Sequence, residues 1–378
     1  MQATETTKPD TAKRKKQKRP IVDCDIHHFT GFKVIKPYMP REYRELVEAY
    51  GNAMPGSMHF NGGVGGRMVD SFPPEGGPAG SSLDYMQKHL LDPYNIKYGI
   101  LTGESLGVQA TINFDYAAAY CSAVNEYTFE HWIANDNRLR GSVLIPKQDP
   151  VSAAKEIDRI GSRPEFVQVL VHNGAMLPYG NRYYYPIYEA CVRHNLPFTI
   201  HVGGEGAGMN AAATGAGHVT HYIESRAARP QVMMAHLASF IFEGVFERFP
   251  TLKVVLQEAG VFWIVPYLWR LDQDWKALRV QTPWVRKKPS EYFRDHIRVT
   301  TQPIEATPNR EVFDQMMEHL YAKDTMMFCS DYPHWDFDSP QLALPRLDDG
   351  LADRVFYRNA ADLYGFPDLG DIQQGGTV

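Results

Sequence analysis

The stretch Ile21-Val-Asp-Cys-Asp-Ile-His-His28 decides how the chain is read. Side chains alternate faces along a strand, so Asp23, Asp25 and His27 share one side, and Cys24, Ile26 and His28 the other. A carboxylate two residues before an imidazole, at the end of an apolar strand, brings two metal-binding groups to one spot. Such a pair needs partners, and candidates stand at the ends of later apolar runs. They are His201 in Phe198-Thr-Ile-His-Val202, Glu258 in Val254-Val-Leu-Gln-Glu258, and Asp331 in Phe328-Cys-Ser-Asp331.

Working outward, eight strand-like runs lie at 21–27, 96–103, 139–146, 166–172, 197–202, 252–258, 296–302 and 325–331. Helical patterns separate most of them, including 116–135, 150–160, 184–194 and 262–278. This alternation predicts an α/β chain with a parallel sheet, and eight units predict a closed (β/α)8 barrel. In such barrels chemistry sits at the carboxyl ends of the strands, where Asp25, His27, His201, Glu258 and Asp331 fall. A helix is expected over 218–229 and another from Pro230 to Phe249, with Pro230 in its first turn. His236 then lies on an apolar helix face, as a hydrogen-bonded core histidine or as a ligand. Residues 279–295, with Trp284, Arg286, Lys287 and Lys288, read as a connection, solvated or docking a phosphate handle. Residues 353–364 read as the last barrel helix.

A long Gly/Pro-rich insert follows the first strand at 51–83, including Asn61-Gly-Gly-Val-Gly-Gly-Arg67. It is expected to cover the barrel mouth as a lid or substrate loop. No Gly-Lys-Ser/Thr follows, so it is not a phosphate loop.

Hydrophobic residues make up 44% and charged residues 22%, enough core for one domain over 21–370. No apolar run approaches the roughly 20 residues that span a bilayer. The basic N-terminus lacks the apolar segment of a secretory signal. Cys24, Cys121, Cys191 and Cys329 form no CxxC, which suits buried thiols in a reducing cytoplasm. Residues 1–20 carry seven Lys/Arg against Glu5 and Asp10, or +5 of a net −5, so the remainder carries −10. The tail reads as a disordered solubilising arm, and the acidic remainder argues against nucleic acid. Residues 371–378 read as a frayed end, and a homo-oligomer is compatible with the rest.

Asp25-x-His27, His201, the block Phe249-Pro-Thr-Leu-Lys-Val-Val-Leu-Gln-Glu-Ala-Gly260, Trp269-Arg-Leu-Asp272 and Ser330-Asp-Tyr-Pro333 together resemble the amidohydrolase-related family. The resemblance covers nearly the whole chain from residue 21. It implies a (β/α)8 barrel with metal ligands at Asp25, His27, His201 and Asp331, and a metal-dependent decarboxylase or hydrolase activity. The chain departs from the family twice. Its decarboxylases place a histidine at the end of the sixth strand, where Glu258 stands here. Binuclear hydrolases bridge two metals through a carboxylated lysine on strand four, and Phe166–His172 has none.

Glu258, His236, His172, His28 and His334 stand beside the four inherited positions, enough for a second metal. The chain is also similar to the (β/α)8 nonheme diiron monooxygenases of platensimycin- and platencin-type antibiotic biosynthesis. That similarity implies an oxidoreductase with two irons per chain, using O2 and an electron donor. Its substrate would be a hydrophobic diterpenoid acyl group carried on coenzyme A. On this leading expectation Asp25, His27, His201, Glu258 and Asp331, with His236, hold iron, and His334 donates a proton. The rival expectation is a mononuclear zinc or manganese decarboxylase or hydrolase.

Overall fold

Eight strands run around one sheet in chain order, each parallel to the last. The computed structural model describes residues 19–52, 54–56 and 66–368. Residues 1–18, 53, 57–65 and 369–378 lie outside them, and with them the expectations of an arm and a frayed tail; of the insert expected at 51–83 only 53 and 57–65, with the central glycine run, lie outside. The strands are β1 (Ile21–Ile26), β2 (Ile96–Leu101), β3 (Leu139–Leu144), β4 (Phe166–His172), β5 (Phe198–His201), β6 (Val254–Gln257), β7 (Ile297–Thr300) and β8 (Met326–Met327). The barrel closes where the Cys24 N–H donates to the Phe328 carbonyl at 3.0 Å and the His27 N–H to the Tyr332 carbonyl at 2.7 Å. Every residue of β1, β4, β5 and β6 is buried, as parallel strands covered on both faces require.

Eight helices of at least eight residues are described. They are α1 (Arg41–Tyr50), α2 (Phe114–His131), α3 (Pro150–Ile160), α4 (Tyr185–Arg193), α5 (Tyr222–Phe242), α6 (Ile264–Leu278), α7 (Pro289–His296) and α8 (Arg310–His319). Their starts follow local chemistry. The Asn113 side chain accepts the Tyr116 N–H at the head of α2, and Asp149 accepts the Val151 and Ser152 N–H groups ahead of Pro150 in α3. The inward faces pack as aromatic and aliphatic clusters. Phe198 of β5, for example, meets Tyr188 of α4 at 5.3 Å and Phe240 of α5 at 6.2 Å between ring centroids. Burial of each such side chain contributes about 1.5–3 kcal/mol.

Three expectations are corrected here. The two helices expected around Pro230 are one. α5 is capped by His221, whose N–H donates to Glu224 at 2.8 Å, and runs through Pro230, held by the buried Met233, His236, Leu237 and Phe240. The connection 279–295 contains α7, which Pro289 starts. The sixth and eighth strands end earlier than their apolar runs: β6 stops at Gln257, because Glu258 takes a positive φ of 59° and cannot continue a strand, and β8 stops at Met327, four residues before Asp331 at the same φ.

Candidate metal centre

Those two non-glycine residues in the left-handed region sit where β6 and the segment after β8 reach the barrel mouth. The reversal carries their carboxylates inward, a strained geometry that clusters at functional sites. β1 supplies Asp25 and the residue just past its end, His27, two positions on and so on the same face, and β5 ends on His201, paired in register with Gln257 of β6. Five buried side chains therefore converge: one ligand atom each from Asp25, His27, His201, Glu258 and Asp331 lies within 4.8 Å of all the others. His27 Nε2 is 3.3 Å from Asp25 Oδ1 and 3.1 Å from Asp331 Oδ1. His201 Nε2 is 3.4 Å from Asp25 Oδ2 and 3.0 Å from Glu258 Oε2.

Outer hydrogen bonds fix how these groups face one another. His27 Nδ1–H donates to the Gly103 carbonyl at 2.6 Å, and His201 Nδ1–H to the Val202 carbonyl at 2.7 Å. Each Nε2 is left with its lone pair directed at the cluster. The Thr102 hydroxyl donates to Asp25 Oδ1 at 2.7 Å. His27 Nε2, His201 Nε2, Asp25 Oδ2 and Asp331 Oδ2 are buried without a hydrogen bond of their own. Four orphaned donor atoms around one point, two nitrogens and two oxygens, fit a divalent cation of intermediate hardness.

The charges agree with that fit. Three carboxylates face two imidazoles, an excess of negative charge that burial makes costly unless protons or a cation answer it. Burial opposes a charged His27, but Asp25 and Asp331 outweigh it and lift the imidazole to about 9. His201 is raised well above its usual value against the same burial, by Asp25 and Glu258. Burial also opposes an ionised Asp25, yet His27 and His201 hold it well below the usual carboxylate range. Asp331 is pushed up to about 6, chiefly by burial.

Above the cluster opens a chamber of about 230 Å³ whose wall includes His334, Trp335, Tyr222 and Leu106. Three guanidinium groups line it, each against a carboxylate: Arg67 with Glu104 at 2.8 Å, Arg229 with Glu258 at 3.0 Å, and Arg226 with Asp336. His334 Nδ1 lies 2.5 Å from Asp331 Oδ1, and burial, then the His27 charge, pulls its imidazole down to about 3. The sequence reading missed these arginines. Arg226 and Arg229, three apart in an Ala-rich stretch, share a helix face, and that spacing was the available signal.

The surplus histidines do not join the cluster. His236 accepts the Tyr179 N–H on Nδ1 at 3.1 Å and donates from Nε2 to the Asn173 carbonyl at 2.7 Å, so neither nitrogen can reach a metal. It is a hydrogen-bonded core histidine. His28 turns to the other face of β1, where its Nε2 meets the Thr128 hydroxyl at 2.7 Å. The His172 ring packs under Gly204, where a Cβ would fall 2.4 Å from it. Among the described residues no second set of ligands assembles.

Comparison with known proteins points the same way. The amidohydrolase family profile matches residues 22–366. A γ-resorcylate decarboxylase of Polaromonas sp. is 26% identical over 291 residues, covering 73% of this chain and 85% of that protein. A dihydroxybenzoic acid decarboxylase structure from Polaromonas sp., with manganese and 2-nitroresorcinol bound, aligns with a TM-score of 0.64 at 17% identity, covering 92% of this chain and 97% of that one. A 5-carboxyvanillate decarboxylase from Novosphingobium aromaticivorans, complexed with manganese and 4-hydroxy-3-methoxy-5-nitrobenzoic acid, aligns at 0.65 and 16%, over 93% and 97% of the two chains. The diiron monooxygenase expectation is thereby overturned, along with its two irons, O2, electron donor and diterpenoid acyl-CoA of antibiotic biosynthesis. Among the described residues one ligand set is present rather than two, and these relatives are decarboxylases, two of them with manganese bound. No helix among the described residues is long and apolar enough to cross a membrane.

Proposed function

The chain belongs to the amidohydrolase family, and from that premise we propose that it is a manganese-dependent, nonoxidative decarboxylase of hydroxylated aromatic carboxylates. The observation that carries this reading is the five-residue cluster, its donor atoms lacking hydrogen bonds, under a mouth lined by arginines. Asp25, His27, His201 and Asp331 would hold the cation, with Glu258 as the fifth group. When bound, the cation supplies Lewis-acid polarisation of a substrate oxygen.

The remaining work falls to the protein. Arg67, Arg226 and Arg229 are each paired with a carboxylate, so at the mouth they offer an anionic substrate oriented N–H donors rather than net charge. Trp335, Tyr222 and Leu106 offer a ring-sized apolar surface. In the reaction the bond between ring carbon and carboxylate breaks, CO2 leaves, and the electron pair stays on the ring carbon, which takes a proton. Asp331 and His334 share a short contact at the chamber wall and stand where a proton taken up from water can be passed to that carbon. Glu258, in the place where the family's decarboxylases carry a histidine, is tied to Arg229 and His201 and acts by fixing the cluster.

Purified protein loaded with manganese and given 2,6-dihydroxybenzoate should release CO2 and resorcinol without consuming oxygen, with one metal per chain. Oxygen uptake with a hydroxylated product, or two metals per chain at full activity, would sink this reading.

A further inference from the structure

A second and larger cavity, of about 370 Å³, adjoins the mouth chamber and shares Arg226, Arg229 and Glu258 with it. Its remaining wall is apolar: Ile223, Ala227 and Pro230 from α5, and Pro303 and Ile304 after β7. Its charged rim is already engaged. Glu305 accepts the Val261 and Phe262 N–H groups at 3.0 and 2.9 Å, and both arginines are in ion pairs. Arg229 Nε, at the junction of the two cavities, is buried and makes no hydrogen bond. Ile223 is 75% exposed on the first turn of α5, which extends the apolar wall outward to solvent. Gly260, at φ +75°, keeps the floor bare, since a Cβ there would fall 2.5 Å from Glu305 Oε1.

A single hydroxylated ring fits within the mouth chamber alone, which leaves the annex without a role in its binding. We propose that the annex takes an apolar substituent of the substrate, so that the preferred substrate is an aromatic carboxylate carrying an alkyl chain of several carbons. The carboxylate end faces the metal cluster, the chain lies against Ile223, Ala227, Pro230, Pro303 and Ile304, and Arg229 marks the boundary between them. This rests on the decarboxylase reading for the head of the substrate and on the cavity for its tail. Unlike the mouth, the annex offers an alkyl chain only contact area, so selectivity there scales with chain length.

The test uses hydroxybenzoates bearing methyl, propyl or pentyl groups at each ring position in turn. Affinity for the manganese-loaded protein is read by calorimetry, and CO2 release is read separately. At one ring position Kd should tighten about threefold per added methylene, somewhat below full burial of that group. Ala227→Phe, which fills the annex from an exposed helix position, and Ile223→Ser, which removes apolar wall, should both flatten this dependence. A Kd independent of chain length at every position, or a dependence that survives Ala227→Phe, overturns the annex assignment. Chain-length-dependent binding without CO2 release from any member upholds the annex and overturns the decarboxylase reading. CO2 release with no dependence on chain length does the reverse.

Discussion

Two histidine-bearing clusters share the rim of the barrel, and they treat the same residue types in opposite ways. At the β1, β5, β6 and β8 side, His27 and His201 each spend one nitrogen on a carbonyl and turn the other toward carboxylates. Both are raised, His27 to about 9. At the β3 and β4 side stand Lys147, His172 and His236. Burial pulls His236 down to about 4 and His172 well below its usual value, with the Lys147 charge adding to both. Lys147 itself is brought down to about 7 by burial. Its ammonium meets only neutral acceptors, the Gly174 carbonyl at 2.6 Å and Asn210 Oδ1 at 3.2 Å. The difference is counter-charge. A histidine at a strand end becomes a ligand candidate when carboxylates face its free nitrogen, and a packing residue when they do not.

The strongest way to break this comparison is to remove one histidine from each side. His201→Ala should leave the protein with little or no bound manganese and lower decarboxylation by about 10³-fold or more, since Lewis-acid polarisation is worth several kcal/mol. His236→Ala should keep one metal per chain and instead lower unfolding free energy by about 1–3 kcal/mol. It strands the buried Tyr179 N–H and Asn173 carbonyl. Metal analysis and urea denaturation on both variants read the two effects. If His236→Ala lost its metal while remaining folded, the division between the clusters would fail.

That division also explains what could be read from the chain before its structure. Period-two alternation placed Asp25 and His27 together, and the order of apolar runs placed His201, Glu258 and Asp331 at the same rim, because barrel topology converts sequence order into position. The fate of His236 was not readable in that way. Its two partners come from the loop around Asn173 to Tyr179, whose path depends on packing against α5 rather than on local pattern. Counting every rim histidine as a ligand led to the second metal. The arginine ring escaped notice because Arg226 and Arg229 lie on α5, and Arg67 on the segment paired with His334, far from any strand-end motif.

A smaller effect sharpens the ligand side. Arg229 Nη1 holds Glu258 Oε1 at 3.0 Å while Glu258 Oε2 faces His201. Arg229→Gln removes the charge that orients this carboxylate. Manganese affinity should fall about 10- to 100-fold, as for other partners that position a ligand, while the chain stays folded. Titration of the metal into the apo protein measures it, and an unchanged affinity would mean that Glu258 needs no such support.

The mildest test belongs to the other cluster and turns on the sign of a proton linkage. The folded pKa of Lys147, about 7, lies below the unfolded value near 10.5. Between those values the unfolded chain binds a proton that the folded chain does not, so this group makes stability rise with pH. Below about 7 both states are protonated, and the cost of burying the cation is felt in full. The slope cannot exceed about 1.4 kcal/mol per pH unit and should be about 1 between pH 7.5 and 9.5. Lys147→Met loses the two hydrogen bonds to Gly174 and Asn210 at every pH, a constant offset. What it changes with pH is the slope, so wild type and variant, compared by urea denaturation, should diverge in the variant's disfavour as pH rises. Parallel curves would show that Lys147 stays charged inside the barrel rim. The contrast between a cluster whose histidines face carboxylates and one whose lysine meets only neutral acceptors would then no longer explain their opposite behaviour.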